Sequence, residues 1–124
     1  PVLDRLCIAC HTEERPDGDL ILTGEPDGTF SRSYNGLIPH VAYSAWNAPN
    51  GNYEPRTEPD RFGARASRLV ALLDEGHYDA KLTPDDWDRL VTWIDANALF
   101  YGTFNPGDQQ RQLRGERIAG PDLE

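Results

Sequence analysis

The chain has 124 residues, a net charge of −9, three histidines, two cysteines and no methionine. Acidity of that size excludes the basic face that nucleic acid requires and disfavours an anionic membrane surface. No stretch approaches the roughly 20 apolar residues of a membrane span, and the length predicts one domain with a modest core.

Many of the ten prolines and eleven glycines fall between residues 16 and 63, which predicts long loops. A small core with long loops calls for a staple: a disulfide, a metal or a cofactor. The chain lacks an initiator Met and a signal peptide, so Pro1 reads as the edge of a fragment cut from a larger protein.

Residues 1 to 11 predict a short helix with Val2, Leu3 and Leu6 on one side. Residues 16 to 30 carry turn signals at Asp17-Gly18 and Asp27-Gly28 around the apolar run Leu20-Ile21-Leu22, which predicts a loop or a short extended piece. Residues 31 to 40 predict a helical turn, capped by Ser31 or Ser33 and stopped at Pro39. Residues 44 to 63 predict an irregular loop.

Two longer helices follow. The first is expected over 64–75, with Leu69, Leu72 and Leu73 at i, i+3, i+4 spacing, Ala66 one turn earlier, and Gly76 as the glycine after the last turn. The second is expected over 84–98. Thr83 suits its N-cap and Pro84 its first position, and Asp85 and Asp86 suit the positive end of its dipole. Its stripe is Trp87, Leu90, Val91, Ile94 and Ala98, with Trp93 beside it and an aromatic cluster of Phe100, Tyr101 and Phe104 after it. Residues 1–105 form the expected domain, and 106–124 a polar C-terminal extension or linker.

Both cysteines lie in one pentapeptide, Cys7-Ile8-Ala9-Cys10-His11. A thioredoxin-type redox pair normally sits between a strand and a helix, and no strand is expected before Cys7. A zinc site needs further close-spaced donors, whereas His40 and His77 are isolated. Covalent attachment of a c-type haem explains every residue. Two thiols three apart on a helical turn can bond both vinyl groups of one porphyrin, and the adjacent histidine reaches the iron from the same face. This reading makes Cys7 and Cys10 the tethers, His11 the proximal ligand, and a single haem c the missing staple.

The second ligand is not a methionine, because the chain has none. His40, His77, Lys81 or an open position remain. His77 directly follows the helix-ending Gly76, where packed helices can hold it.

The stretch GARASRLVALLDEGHYDAKLTPDDWDRLVTWIDANALFYGTF resembles a c-type cytochrome domain common in planctomycetes and other marine bacteria. That domain is similar to a haem domain of the hydrazine synthase alpha subunit, and to haem domains joined to carbohydrate-binding modules in secreted redox proteins. The matching motifs run in order through the chain. After Cys7, Cys10 and His11 come Leu22-Thr23-Gly24 with Ser33-Tyr34, then Ser67 and Leu69 with Gly76-His77, then Trp93-Ile94-Asp95 with Asn97 and Tyr101-Gly102. Phe100 and Ile21 depart from the pattern, standing where a tyrosine and an aspartate are common. The resemblance implies that His77 is the distal ligand.

Together these readings predict an all-α fold: a small cytochrome c-like helical domain around one haem, with long Pro/Gly-rich loops. Arg32, Arg65 and Arg68 are candidates to pair with haem propionates, Tyr34 to hydrogen-bond them, and Trp93 to wall the haem. Asp95 and Asn97 are candidates to cap a helix or bond a ligand imidazole. The acidic residues from Asp17 to Asp27 lack the regular spacing of a calcium loop. Two imidazoles on one iron leave no open position, so the expected function is low-potential electron transfer. The expected setting is a periplasmic or extracellular monomer that serves a redox partner protein or a neighbouring domain. The alternative is a haem enzyme, peroxidase-like or acting on small nitrogen compounds, with a labile distal position.

Overall fold

The computed structural model describes residues 2–44 and 58–120. Its elements, in order, are α1 (Val2–Leu6), β1 (Pro26–Asp27), β2 (Phe30–Ser31), α2 (Arg32–Leu37), α3 (Arg68–Glu75), α4 (Pro84–Asp95) and α5 (Pro106–Leu113), with single 3-10 turns at Asp17–Asp19, Ile38–His40 and Ala64–Ala66. Most of the irregular loop expected over 44–63 lies outside the described residues.

The all-α expectation is overturned by a two-stranded antiparallel sheet. Its register pairs Pro26 with Ser31 and Asp27 with Phe30, so Gly28 and Thr29 form a two-residue hairpin loop. Gly28 has φ 68°, the left-handed value that such a loop needs at its first position and that glycine adopts freely. The Asp27-Gly28 turn signal therefore closes a hairpin. The chain is a small mixed fold, and its helices do not form a cytochrome c-like bundle.

The helices start where the sequence provides caps. Ser31 Oγ accepts from Tyr34 N at the head of α2. Thr83 and Asp86 form a reciprocal capping box at the head of α4, with Pro84 at the first position. Two ends differ from expectation. The segment 64–75 breaks at Ser67, which is extended (ψ 124°) and 2% exposed. Its hydroxyl donates to Gly63 O and accepts from Ala42 N, so it ties two segments together. Helix α4 stops at Asp95, because Asn97 and Ala98 take φ of 70° and 50°. The C-terminal extension folds back as α5. Asn105 caps it, and Gln109 and Gln112 hydrogen-bond Thr103 O and Gly102 N.

Among the described residues, the buried apolar side chains are Leu22, Leu37, Val41, Ala64, Ile94 and Ala98. Val41, Ala64, Ile94 and Ala98 form one cluster, against which Ile38, Leu69, Val70, Leu90, Val91 and Trp93 pack. Leu72, expected on the buried stripe of α3, is 43% exposed. A second cluster is aromatic. Phe30, Tyr34, Phe100 and Tyr101 meet at 4.8 to 5.9 Å between ring centres, and Trp93 contacts Tyr34 at 6.2 Å. It joins the hairpin and α2 to the end of α4.

Candidate functional site

The site begins as the continuation of α1. Cys7 N and Ile8 N donate to Leu3 O, and Cys10 N and His11 N both donate to Cys7 O at 3.1 Å. One tight helical turn thus carries both thiols and the imidazole. The chain then doubles back. His11 pairs with Pro16 in an isolated bridge, Asp17 N donates to Cys10 O, and Leu22 N donates to His11 O. Buried Leu22 anchors this return, so His11 sits on a braced backbone.

The second half of the site lies between α3 and α4. Gly76 leaves α3 with φ 98° and ψ 128°, a conformation suited to glycine alone. His77 pairs with Ala80 across a tight turn, closed by Ala80 N donating to His77 O at 3.0 Å. Tyr78, inside that turn, has φ 49° and is 92% exposed.

The two halves meet. The His11 and His77 ring centres are 6.1 Å apart, and their planes differ by 14°. Two imidazoles in line on one metal, with metal–nitrogen bonds of about 2 Å and roughly 1 Å more to each ring centre, span about 6 Å. The spacing also falls in the range of ordinary ring pairs. A second observation favours the metal. His11 Nδ1 is buried and has no hydrogen-bond partner among the described residues. Leaving such a nitrogen unpaired costs about 1–3 kcal/mol, so an interaction beyond those residues is called for.

A short ion pair holds the halves in register. Arg5, two residues before Cys7, donates to Asp86 Oδ1 at 2.5 Å. Asp86 is 5% exposed and also accepts from Thr83 N and Oγ1. The Arg5 hydrogen bond, then the two Thr83 bonds, pull its carboxyl down to about 2. Burial, and then the nearby Asp4 charge, push the Cys7 thiol up from its ordinary value. Arg15 pairs with Asp17 at 3.0 Å and is raised first by that hydrogen bond, with smaller contributions from Asp17, Cys10 and Tyr78.

Other reading frames for the cysteines find little here. Both thiols are free, and a raised Cys7 is the opposite of an activated redox thiol. Among the described residues, no group of three or more His, Cys, Asp or Glu is placed to hold a metal ion, whereas structural zinc takes all its donors from protein. A tethered haem needs only two thiols and two axial nitrogens from the chain, and Cys7, Cys10, His11 and His77 suit it.

The remaining predicted residues have protein partners or face solvent. Arg32 pairs with Glu13 at 3.4 Å, and Arg65, largely exposed, with Asp60 at 3.7 Å. Arg68 is exposed at the start of α3. Tyr34 OH donates to Ala98 O, and burial then Tyr43 raise its hydroxyl from the ordinary value. Trp93 Nε1 donates to Leu99 O. His40 ends a 3-10 turn and has no ring contact with His11 or His77. Asp95 and Asn97 hydrogen-bond elsewhere. Asp95 accepts from Ala64 N, and Asn97 exchanges two hydrogen bonds with the Ser44 backbone. The sequence reading missed Arg5, Arg15 and Tyr78. The Thr83-x-x-Asp86 box was a visible signal for Asp86, but nothing local marks Arg5 as its partner.

The chain matches no family model, no curated protein and no solved structure. Among the described residues, no helix is long and apolar enough to cross a membrane.

Proposed function

We propose that the chain is an electron-transfer module of the c-type cytochrome kind. Cys7 and Cys10 tether one haem through thioethers, and His11 and His77 are its axial ligands. The observation that carries this reading is the near-parallel approach of the His11 and His77 rings at 6.1 Å, from turns sixty-six residues apart. The pentapeptide motif, and the ordered resemblance to planctomycete-type cytochrome domains that includes it, also support this reading.

The bound haem supplies reversible one-electron transfer. The chain's own residues set how it does so. Two imidazoles fill both faces, so substrate finds no open position, and a potential below that of His/Met ligation follows. Haem attachment accompanies export in bacteria, which places the module in the periplasm or outside the cell. It acts there as a monomeric unit, passing electrons to a partner protein or to a neighbouring domain of the same chain.

The test is expression with haem-maturation machinery. The expected product carries one haem covalently, shows a six-coordinate low-spin spectrum and refuses carbon monoxide. Rapid carbon monoxide or peroxide binding would instead assign a haem enzyme. Absence of covalent haem would end the reading altogether.

A further inference from the structure

We propose that Tyr78 is a positioning residue for His77: its ring, set edge-on against the imidazole, holds the His77 plane parallel to that of His11. The inference rests on the axial roles proposed above and concerns what fixes the orientation of one ligand.

A metal-binding histidine is usually oriented by a hydrogen bond from its second ring nitrogen to a carboxylate or carbonyl. Among the described residues, the His77 ring takes no such bond. Its ring contacts are two: His11 at 6.1 Å, and Tyr78 at 5.0 Å with the planes 80° apart. The second is the edge-to-face geometry that aromatic quadrupoles prefer. A ring pinned in this way resists rotation about its Cβ–Cγ bond.

Beyond a small electrostatic contribution to Arg15, nothing else among the described residues accounts for Tyr78. It is 92% exposed, so it contributes little to the core. Its φ of 49° is one that a bulky side chain adopts at a disadvantage and that glycine or asparagine adopts readily. A large aromatic residue at a left-handed turn position, turned out to solvent, is poorly explained by folding alone. Contact with the ligand explains why a ring stands there. The tight His77–Ala80 turn keeps the two side chains side by side.

The mutual angle of two axial imidazole planes is read directly by electron paramagnetic resonance of the ferric protein. Near-parallel planes give a rhombic spectrum, and planes turned towards perpendicular give a single feature at high g. The holoprotein and its Tyr78→Phe, Tyr78→Ala and Tyr78→Gly variants are compared, with optical spectra to confirm low spin. The wild type and Tyr78→Phe should be rhombic. Tyr78→Ala and Tyr78→Gly should stay low-spin but shift to, or broaden towards, the high-g form. Tyr78→Gly suits the local φ, so the turn survives and any change is due to the ring. A rhombic spectrum unchanged in Tyr78→Gly overturns the proposal, as does loss of the rhombic form in Tyr78→Phe. In both cases low-spin haem persists and the electron-transfer reading stands. A wild type without low-spin haem overturns that reading first, and this inference with it.

Discussion

Arg5 and Asp86 form a 2.5 Å ion pair that joins the helix leading into Cys7 to the helix that follows His77. Neither residue belongs to the site, yet together they bring its two halves to one place. The carboxylate is buried and satisfied three times, by Arg5, Thr83 N and Thr83 Oγ1, so removing its charge weakens the link to the half-exposed Arg5 and the α4 cap at once. Asp86→Asn should lower the melting temperature more than Thr83→Ala, which loses the cap, worth about 1 kcal/mol, and one of the three bonds to the carboxylate but keeps the Arg5 pair. If the chain binds haem as proposed, the same change should leave it partly high-spin, because the His77 turn is less firmly anchored. Thermal melts and the optical spin-state spectrum measure both effects, and equal melting points for the two variants would contradict this role.

The same pair predicts how acid acts on the fold. The Asp86 carboxyl is held at about 2 against an ordinary 3.8, so the folded state favours the ionised form. A depressed carboxylate contributes stability that is complete above the unfolded value and is lost as pH falls towards the folded one. Stability should therefore decline between about pH 4 and pH 2, and the decline should be shallower in Asp86→Asn. Denaturant melts at a series of pH values provide the comparison.

The proposed ligand pair makes a sharper demand. His77→Ala should convert the haem to high spin and raise its potential, because one strong imidazole donor is lost. His40→Ala should do neither, since His40 ends a 3-10 turn and is not part of the His11–His77 ring pair. Optical spectra and redox titration read both results. A high-spin shift in His40→Ala instead would move the distal ligand to that loop.

Some of this was legible in the sequence, and the reasons are local. Thr83, Pro84 and Asp86 mark the start of α4 because capping depends on residues within one turn. Ser31 and Gly76 are similar. The hairpin was not legible: strands of two residues leave no alternation to detect, and Asp27-Gly28 alone announces only a turn. Helix α5, PGDQQRQL, carries almost no apolar stripe, so its polar composition resembles a linker. The end of α4 was misjudged because alanine is the best helix former, and tertiary contact overrides it here. Ala98 is fully buried in a left-handed conformation, and its carbonyl accepts from Tyr34 OH. The approach of His11 to His77 depends on the whole fold. Spacing alone left several partners open, and only the family resemblance singled out His77.

The core that supports the site is small enough for single truncations to be felt. Ile94 is 1% exposed and packs in the cluster with Val41, Ala64 and Ala98. Ile94→Ala removes that volume from the only large fully buried apolar side chain among the described residues, at a cost of about 2–5 kcal/mol. Leu72→Ala, on the 43% exposed position of α3, should cost far less. Equilibrium unfolding of the two variants measures the difference, and a similar loss in both would mean that Leu72 is covered in solution.

Two glycines at opposite ends of one segment, Gly63 by the core and Gly76 next to His77, separate strain from collision. Gly63 and Gly76 have φ of 89° and 98°, so alanine is strained at both, by about 1–3 kcal/mol. At Gly76 an added Cβ meets nothing within 4 Å. At Gly63 it would come to 2.7 Å from Asp95 Oδ1, the atom that accepts from Ala64 N. Gly63→Ala must therefore also displace Asp95 and release the turn at Ala64–Ala66, next to the buried core. It should destabilise the fold clearly more than Gly76→Ala. Gly76→Ala should act mainly on the proposed ligand, by redirecting the chain one residue before His77. Stability should rank Gly76→Ala above Gly63→Ala in denaturant melts, while the spin-state spectrum should rank them the other way. If both measurements give the same order, the Asp95 contact does not brace the fold in the way its geometry implies.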